Sequence, residues 1–389
     1  SGKHCNWSMA IASDNELDGV NLFKPGKTPH QNIRFLLFLA AVLKAVHKHA
    51  GLIRAGIASS GNEHRLGANE APPAIISVFM GETLTRVIEN IAAGRTDNKD
   101  AADVMIQLGV AKLPLIAKDN TDRNRTSPFA FTGNKFEFRA VGSSQSIAFP
   151  VMLLNATVAE AIGELTDALR QELKKTKNRD NAALKVVSAA FRATKAVRFE
   201  GNNYSDAWVV EAKKRGLLNL RRSPEALAQI VTPAARKLFA SLSILSPEEV
   251  ASRYHIRLER YIKDMLIELS TLSEITDTMI APAAHGYLAL LLDSAAAAKS
   301  AGVKTVPQID AANIVAKLVT DLQKASATLR ATIAKADSMH ADAPKQAAYL
   351  TSTGADAMAA VRTAADALEG RMDDSRWPLP RYREMLFPV

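Results

Sequence analysis

Two residues in the chain have side chains that could bind a divalent metal ion. His4 lies in the segment HCNWSMAI, and Glu137 lies in the segment NKFEFRAV. Both segments are typical of β-strands in their alternation and composition. An imidazole and a carboxylate are plausible ligands for such an ion, although either side chain alone is more often a surface or hydrogen-bonding group. If they share a metal ion, we expect His4 and Glu137 to approach within a few ångströms in one cleft.

A second set of residues carries the charges that an anionic substrate would need. Guanidinium groups bind carboxylates and phosphates through paired hydrogen bonds, and the candidates are Arg65, Arg123, Arg125 and Arg139. Glu70 lies in a loop, residues 67–73, whose Gly and Pro content favours a shaped flap. A metal ion, several guanidinium groups and one loop carboxylate together indicate phosphoryl transfer to a carboxylate substrate.

The elements that position these residues divide the chain near residue 175. Residues 1–175 alternate predicted strands with polar loops and one helix that is apolar nearly all round, NIRFLLFLAAVLKAVHKHAGLI. Residues 176–389 have a helical pattern almost throughout, with a helix start at Ser246, where a capping hydroxyl precedes Pro247 and Glu249. Further helices are predicted around 309–336 and 341–370. The sequence therefore predicts an α+β protein, with a strand-rich first part and a mainly helical second part.

Composition limits the classes of function. The net charge is +9 and the sequence pI is about 9.5, but the basic residues are dispersed and aromatic residues make up only 6% of the chain. Neither feature favours a nucleic-acid surface. The longest apolar run, residues 35–43, is far shorter than the ~20 residues of a membrane span, so a buried helix is expected. A single cysteine, Cys5, fits a reducing, cytoplasmic environment.

Four segments occur in an order and spacing that resemble the signature segments of glutamine synthetases. They are SGKHCNWS, HRLGANEAPPAI, DRNRTS and KFEFR, and together they span some 140 residues. Two later segments, GNNYSDAWVVEAKKRGLLNL and WPLPRYREMLF, resemble the helical extension of the type III class of that family. The resemblance implies that residues 1–175 are the C-terminal part of the catalytic domain, with an antiparallel-rich sheet. Residues 176–389 would then be the type III extension.

The resemblance also implies a role for each matching residue. His4 and Glu137 would bind a metal ion, while Ser8 and Lys135 would contact the nucleotide. Arg65 and Arg139 would hold the glutamate substrate. Arg125 would stabilise the phosphoryl group in transit, and Glu70 would close over the site and accept a proton from ammonium.

The activity implied by this resemblance is the ATP-dependent ligation of ammonia to L-glutamate through a γ-glutamyl phosphate. Mg²⁺ or Mn²⁺ would assist, and large homo-oligomeric rings would share active sites between neighbouring subunits. The chain begins at Ser1 without Met, so we expect it to be the enzyme without its N-terminal part. The family supplies further metal-binding carboxylates from that part, and we therefore expect the chain alone to be inactive. No nucleic acid and no membrane are expected as partners.

Two departures from the family pattern keep another class of function open. Asn6 stands where many members have a second His, and Ala130 stands where a further Arg often follows. An alternative hypothesis is therefore a catalytically silent, helical interaction or regulatory protein that retains the signature segments. A third hypothesis is a nucleic-acid-binding protein, which would bind nucleic acid weakly and with a strong dependence on salt concentration.

Overall fold

The structure is a computed structural model that describes residues 2–26, 28–68, 71–95 and 126–386. The chain forms two compact units, Ser1–Tyr254 and His255–Val389. The boundary between the units therefore lies well beyond residue 175, and residues 176–254 pack within the first unit. The assignment of residues 176–389 to a type III extension concerns family relationship rather than compactness, and it stays a prediction.

A four-stranded mixed sheet lies in the first unit. Its strands are β1 (Gly2–Trp7), β2 (Val78–Phe79), β3 (Phe129–Phe131) and β4 (Phe136–Gly142), in the order β1-β4-β3-β2. β4 pairs antiparallel with β1 and with β3, whereas the short β2 pairs parallel with β3. The sheet is thus mainly antiparallel, and the predicted α+β class is confirmed.

The side chains of β4 alternate between two environments, as the pleat of a strand requires. Phe136 and Phe138 are fully buried, and Phe136 contacts several other rings. Its ring stacks on Phe129 at a centroid distance of 4.9 Å and meets Phe23 edge-on at 5.2 Å. Glu137 and Arg139 are only partly buried and lie on the other face. The aromatic core therefore fixes the strand from which these two charged side chains project.

Helix α1 (Ile33–Gly56) begins where the Asn32 side chain accepts a hydrogen bond from the backbone N–H of Phe35 at 3.1 Å. The apolar run of this helix is buried, as its sequence predicted. A long helix, α4 (Ala148–Leu173), packs against α1, although the sequence analysis did not single it out. The other α-helices that begin and end in the first unit are α2 (Ser60–Arg65), α3 (Glu82–Ala92), α5 (Arg179–Ala193), α6 (Asp206–Lys214), α7 (Ser223–Leu227) and α8 (Pro233–Ser241).

Helices make up the second unit, and the first of them begins within the first unit, after Ser246. The Ser246 cap is confirmed: its hydroxyl accepts from the Glu249 N–H at 3.2 Å, and the Glu249 carboxylate accepts from the Ser246 N–H at 2.8 Å. The helices in order are α9 (Pro247–Ile275), a π-helical turn (Thr276–Ile280), α10 (Ala281–Ser300), α11 (Val306–Asp337), α12 (Ala343–Tyr349), a second π-helical turn (Leu350–Gly354), α13 (Ala355–Glu369) and α14 (Tyr382–Leu386). α11 packs against α10 and α13.

Three helical stretches in the described residues are long and apolar enough to cross a membrane, judged by length and composition alone. They are Ile33–Gly56, Ala148–Leu173 and Pro247–Ser300. In the first, 72% of the most apolar window is buried inside the protein, whereas in the last only 17% is buried. Burial inside the fold explains the apolar character of α1, and the expectation of no membrane partner stays a prediction.

Candidate functional site

His4 and Glu137 come together on the sheet face that lies opposite the aromatic core. His4 lies in β1 where the pairing register with β4 shifts between Lys3 and Cys5, and such irregularities often re-aim a side chain beside a site. The His4 Nδ1 atom is 2.8 Å from Oε1 of Glu137. The structure therefore brings together the two side chains that the sequence predicted as metal ligands. Their role in binding metal stays a prediction.

Arg139 binds the other oxygen of the same carboxylate. Its Nε donates to Oε2 of Glu137 at 2.8 Å, and both side chains are largely buried, at 10% and 13% exposed. The His4 side chain is 56% exposed. Glu137 is therefore a carboxylate held by a guanidinium group on its inner side and by an accessible imidazole on its outer side.

The donor set of His4 and Glu137 fits a divalent cation in part. Ligand atoms that coordinate one ion at ~2.0–2.2 Å lie about 3 Å apart, and these two atoms are 2.8 Å apart. Among the described residues, however, no group of three or more His, Cys, Asp or Glu side chains could hold a metal ion. The pair would thus supply two ligands, and the others would be waters, substrate oxygens or side chains from outside the described residues.

Arg65 lies at the far end of the β1–β4 pair. It is the last residue of α2, and its Nη2 donates to the carbonyl oxygens of Ala140 and Val141, both at 3.3 Å. Burial lowers the pKa of this guanidinium, and nearby Tyr204 acts in the opposite direction. A Cβ atom on Gly2 would lie 2.9 Å from the Arg65 guanidinium nitrogens. The glycine in the first signature segment therefore leaves space for this arginine.

Asn62 orients Arg65, although no prediction from the sequence included it. Its Oδ1 accepts from Arg65 Nε at 3.0 Å, while its Nδ2 donates to the carbonyls of Ile57 at 2.7 Å and Ala140 at 2.9 Å. The side chain is buried, so all its polar contacts are within the protein. A usable signal was present: Asn62 precedes Arg65 by three residues on a helix, a spacing that places two side chains on one face.

The predicted nucleotide contacts lie near the other end of β1. Ser8 Oγ donates to the Asn134 carbonyl at 3.4 Å, and the next residue, Lys135, is in the turn that leads into β4. Ser8 and Lys135 are thus close in the fold, and their contact with a nucleotide stays a prediction. Three further candidates, Glu70, Arg123 and Arg125, lie outside the described residues, and their roles also stay predictions.

The two residues that depart from the family pattern lie in register with Glu137. Asn6 is its cross-strand partner on β1, and Ala130 is its partner on β3. Directly opposed residues on antiparallel strands project on the same face. A change at either position therefore falls beside the carboxylate of Glu137, which makes the two departures relevant to this site.

Comparison with known proteins shows which proteins this chain is similar to. Residues 182–299 match the family model described as the glutamine synthetase C-terminal domain. Along its whole length the chain is 41% identical to the type-3 glutamine synthetase of Dictyostelium discoideum and covers 52% of that protein. It is also 37% identical to the glutamine synthetase of Bacteroides fragilis (strain YCH46) and 38% identical to that of Butyrivibrio fibrisolvens, covering 53% and 54% of them.

The resemblance predicted from the signature segments is therefore confirmed: the chain is similar to one protein named type-3 glutamine synthetase and to two named glutamine synthetase. The similarity includes both compact units, because it extends over the whole chain. The chain spans about half the length of the curated relatives it matches.

Proposed function

We propose that this chain is part of an enzyme that joins ammonia to L-glutamate at the expense of ATP and so assimilates nitrogen as glutamine. The observation that carries the proposal is the group formed by His4, Glu137 and Arg139 on one face of the sheet, with Arg65 at the end of the same strand pair. This group combines a possible metal-binding pair with two guanidinium groups, as a reaction between two anions requires. The names of the relatives support the same reaction.

The proposed reaction has two steps. An oxygen of the glutamate γ-carboxylate attacks the γ-phosphorus of ATP, and the bond to ADP breaks to leave a γ-glutamyl phosphate. Ammonia then attacks the carbonyl carbon, and inorganic phosphate leaves with the oxygen that formed the mixed anhydride. Ammonium must lose a proton before it can attack, which requires a base at the site.

The chain's own residues would serve these steps by binding and orientation. Arg65 and Arg139 would hold the carboxylates of glutamate, and Arg125 would stabilise the phosphoryl group. Ser8 and Lys135 would contact the nucleotide. Glu70 would shield the labile intermediate from water and accept the proton from ammonium. His4 and Glu137 would hold Mg²⁺ or Mn²⁺, whose chemistry is to offset the phosphate charge.

An isotope experiment tests the reaction and its intermediate together. The full-length protein would receive ATP, Mg²⁺, ammonia and glutamate labelled with ¹⁸O in the γ-carboxylate. Mass spectrometry of the released phosphate should find one ¹⁸O atom per glutamine formed. Glutamine formed without label transfer would contradict the acyl phosphate. Absence of glutamine would contradict the proposed function and favour the silent interaction protein.

The remaining partners follow from the same proposal. A homo-oligomeric ring that shares its active sites between neighbouring subunits, a cytoplasmic location, and no nucleic-acid partner are expected from the family resemblance and the composition. Sedimentation of the full-length protein would test the ring, because a monomer would contradict shared active sites.

A further inference from the structure

A segment beyond residue 197 binds the helix that carries Arg65. The carboxylate of Glu63 in α2 accepts a hydrogen bond from the backbone N–H of Ser223 at 2.6 Å and one from Arg222 Nη1 at 3.2 Å. Ser223 Oγ donates to the carbonyl of Ser59, the capping residue of the same helix, at 3.0 Å. Both the cap and the middle of α2 are therefore fixed by residues some 160 positions later in the chain.

A buried cation fixes the same segment to the end of α1, just before α2. Arg54 is 1% exposed, and it donates from Nε to the Leu220 carbonyl at 2.9 Å and from Nη2 to the Arg221 carbonyl at 3.3 Å. Burial lowers the pKa of its guanidinium to about 10. A buried charge is costly unless it is held by such partners, so these carbonyls have a defined position relative to α1.

The earlier part of the segment contacts the sheet and the chain that enters it. The backbone N–H of Asn203 donates to Thr126 Oγ1 at 3.0 Å, and Thr126 directly follows the DRNR signature residues. The Glu200 carboxylate accepts from the N–H groups of Met80 and Gly81 at 3.0 and 2.9 Å, at the end of β2. The backbone N–H of Phe199 donates to the Val78 carbonyl at 3.0 Å. The segment therefore contacts several of the elements next to the candidate site.

We propose that residues 198–223, which we call the clasp, position the candidate glutamate-binding side chain of Arg65, and that the principal contact of the clasp is with Glu63. The inference rests on the proposed function. Arg65 lies two residues after Glu63 and reaches β4 through hydrogen bonds of 3.3 Å, so a small displacement of α2 would separate them. The clasp belongs to the region matched by the glutamine synthetase C-terminal domain model. This region would thus support substrate binding without supplying a catalytic residue.

The test compares variants of Glu63 in the full-length protein. Glu63→Ala removes both hydrogen bonds and should raise the KM for glutamate about tenfold, the order of one charge-assisted hydrogen bond. The kcat and the KM for ATP should change less than about twofold. Glu63→Gln keeps an acceptor for the Ser223 N–H, so its KM for glutamate should return to within about threefold of the wild type. Glu172→Gln is the matched control, because Glu172 lies on α4, pairs with Lys175 at 2.6 Å and is not part of the clasp.

Hydrogen exchange of the peptide that contains α2 separates the clasp from the proposed function. Exchange should be faster in Glu63→Ala than in the wild type and unchanged in Glu172→Gln. If Glu63→Ala fails to fold, Arg222→Gln combined with Ser223→Ala removes the Arg222 bond to Glu63 and the Ser223 Oγ bond to Ser59. The backbone bond from Ser223 to Glu63 stays in place, so the effect should have the same direction and a smaller size. Faster exchange with an unchanged KM for glutamate, or unchanged exchange, would overturn the proposal. A wild-type protein that makes no glutamine would instead refute the proposed function, and exchange would still decide whether the clasp holds α2.

Discussion

The two compact units of the chain bury different kinds of polar side chain. In the first unit, His49, Arg54 and Arg198 are charged or ionisable and less than 9% exposed. In the second unit, the buried polar side chains among the described residues carry hydroxyl or amide groups: Ser273, Thr276, Ser326, Thr332, Gln346 and Thr351. A buried charge costs several kcal/mol unless it is well paired. The first unit therefore contains costly groups, and it is also the unit that contains the candidate site.

The apolar cores differ in a related way. Phenylalanine rings fill the space behind β4 in the first unit, whereas aliphatic side chains such as Leu322, Leu329 and Val361 fill the second. Stacked and edge-on rings hold a strand in one position, and a strand places every second side chain on the same face. This combination explains why Glu137 and Arg139 are well positioned. The comparison leads to the expectation that charge changes affect activity only in the first unit.

The largest expected effect follows from neutralising Glu137. Glu137→Gln in the full-length protein should lower glutamine formation by ~10²–10³-fold, the scale of losing one electrostatic contact to the reacting groups. The amide loses the charge that holds Arg139 and the capacity to bind a cation strongly. Asp277→Asn is the control, since it neutralises a carboxylate in the second unit that pairs with Arg330 at 2.6 Å. Equal losses in the two variants would contradict the division between the units.

Truncating a core side chain should weaken metal binding when the side chain is in the first unit but not when it is in the second. Phe136→Ala should lower the free energy of unfolding by ~3–5 kcal/mol and weaken Mn²⁺ binding, because the adjacent Glu137 loses its rigid support. Leu329→Ala should lower it by ~2–5 kcal/mol and leave Mn²⁺ binding unchanged. Urea titration and electron paramagnetic resonance of Mn²⁺ would measure the two quantities in the full-length protein. Weaker Mn²⁺ binding in Leu329→Ala would show that the site depends on both cores.

Loss of a buried amide should produce a smaller effect. Asn62→Leu leaves two carbonyls and Arg65 without their partner and should cost ~1–3 kcal/mol, with a higher KM for glutamate. Gln346→Leu is a matched variant in the second unit, because Gln346 is 5% exposed and donates to the Ala336 carbonyl at 3.0 Å. It should lower stability by a similar amount without changing KM. If both variants change KM, the orienting role of Asn62 is wrong.

A smaller effect is expected for the ion pair of Lys48 and Glu160 in the first unit. Burial alone would raise the pKa of Glu160. Hydrogen bonds from Lys48 and His49 outweigh burial and hold this pKa below its usual value of 4.5. The stability that this pair contributes is therefore present above about pH 4.5 and is lost as the pH falls through the lower, folded pKa. Glu160→Gln should cost ~1–2 kcal/mol at neutral pH and should flatten this acid dependence.

The exposed pair between Asp277 and Arg330 provides the contrast for that measurement. Burial would raise the pKa of Asp277, but hydrogen bonds from Ser326 and Arg330 outweigh it and lower the pKa. The side chains are 39% and 52% exposed, so solvent weakens the pair and Asp277→Asn should cost only ~0–1 kcal/mol. Urea titrations at pH 7 and pH 4 would compare the two variants. A larger cost for Asp277→Asn would reverse the comparison of the units.

Local patterns predicted the elements that carry the candidate site. The alternation in NKFEFRAV predicted the strand that carries Glu137 and Arg139, and the capping sequence at Ser246 located the start of α9. These predictions succeeded because each depends on residues within a few positions of one another. The pairing of His4 with Glu137 came from the order of the family segments, since nothing local joins residues 133 positions apart.

Contacts between distant segments were not predictable in the same way. From the sequence alone, Glu63 would be expected to be an ordinary surface residue. Its hydrogen bond with Ser223 depends on how α1, α2 and the clasp pack together. The boundary of the first compact unit at Tyr254 also depends on packing, because the helical pattern of the sequence is the same on both sides of residue 254. Asn62 lies between these cases, since its spacing from Arg65 was visible but its carbonyl partners were not.

Glutamine synthesis by the chain alone and by the full-length protein tests the central claim most directly. Each would be assayed with ATP, Mg²⁺ or Mn²⁺, glutamate and ammonia, and both phosphate and glutamine would be measured. At the candidate site the described residues supply two convergent metal ligands, and no group of three or more occurs among the described residues. The chain alone should therefore form neither product, whereas the full-length protein should form both. Turnover by the chain alone near the ~10 s⁻¹ typical of enzymes, or no glutamine from the full-length protein, would contradict the account.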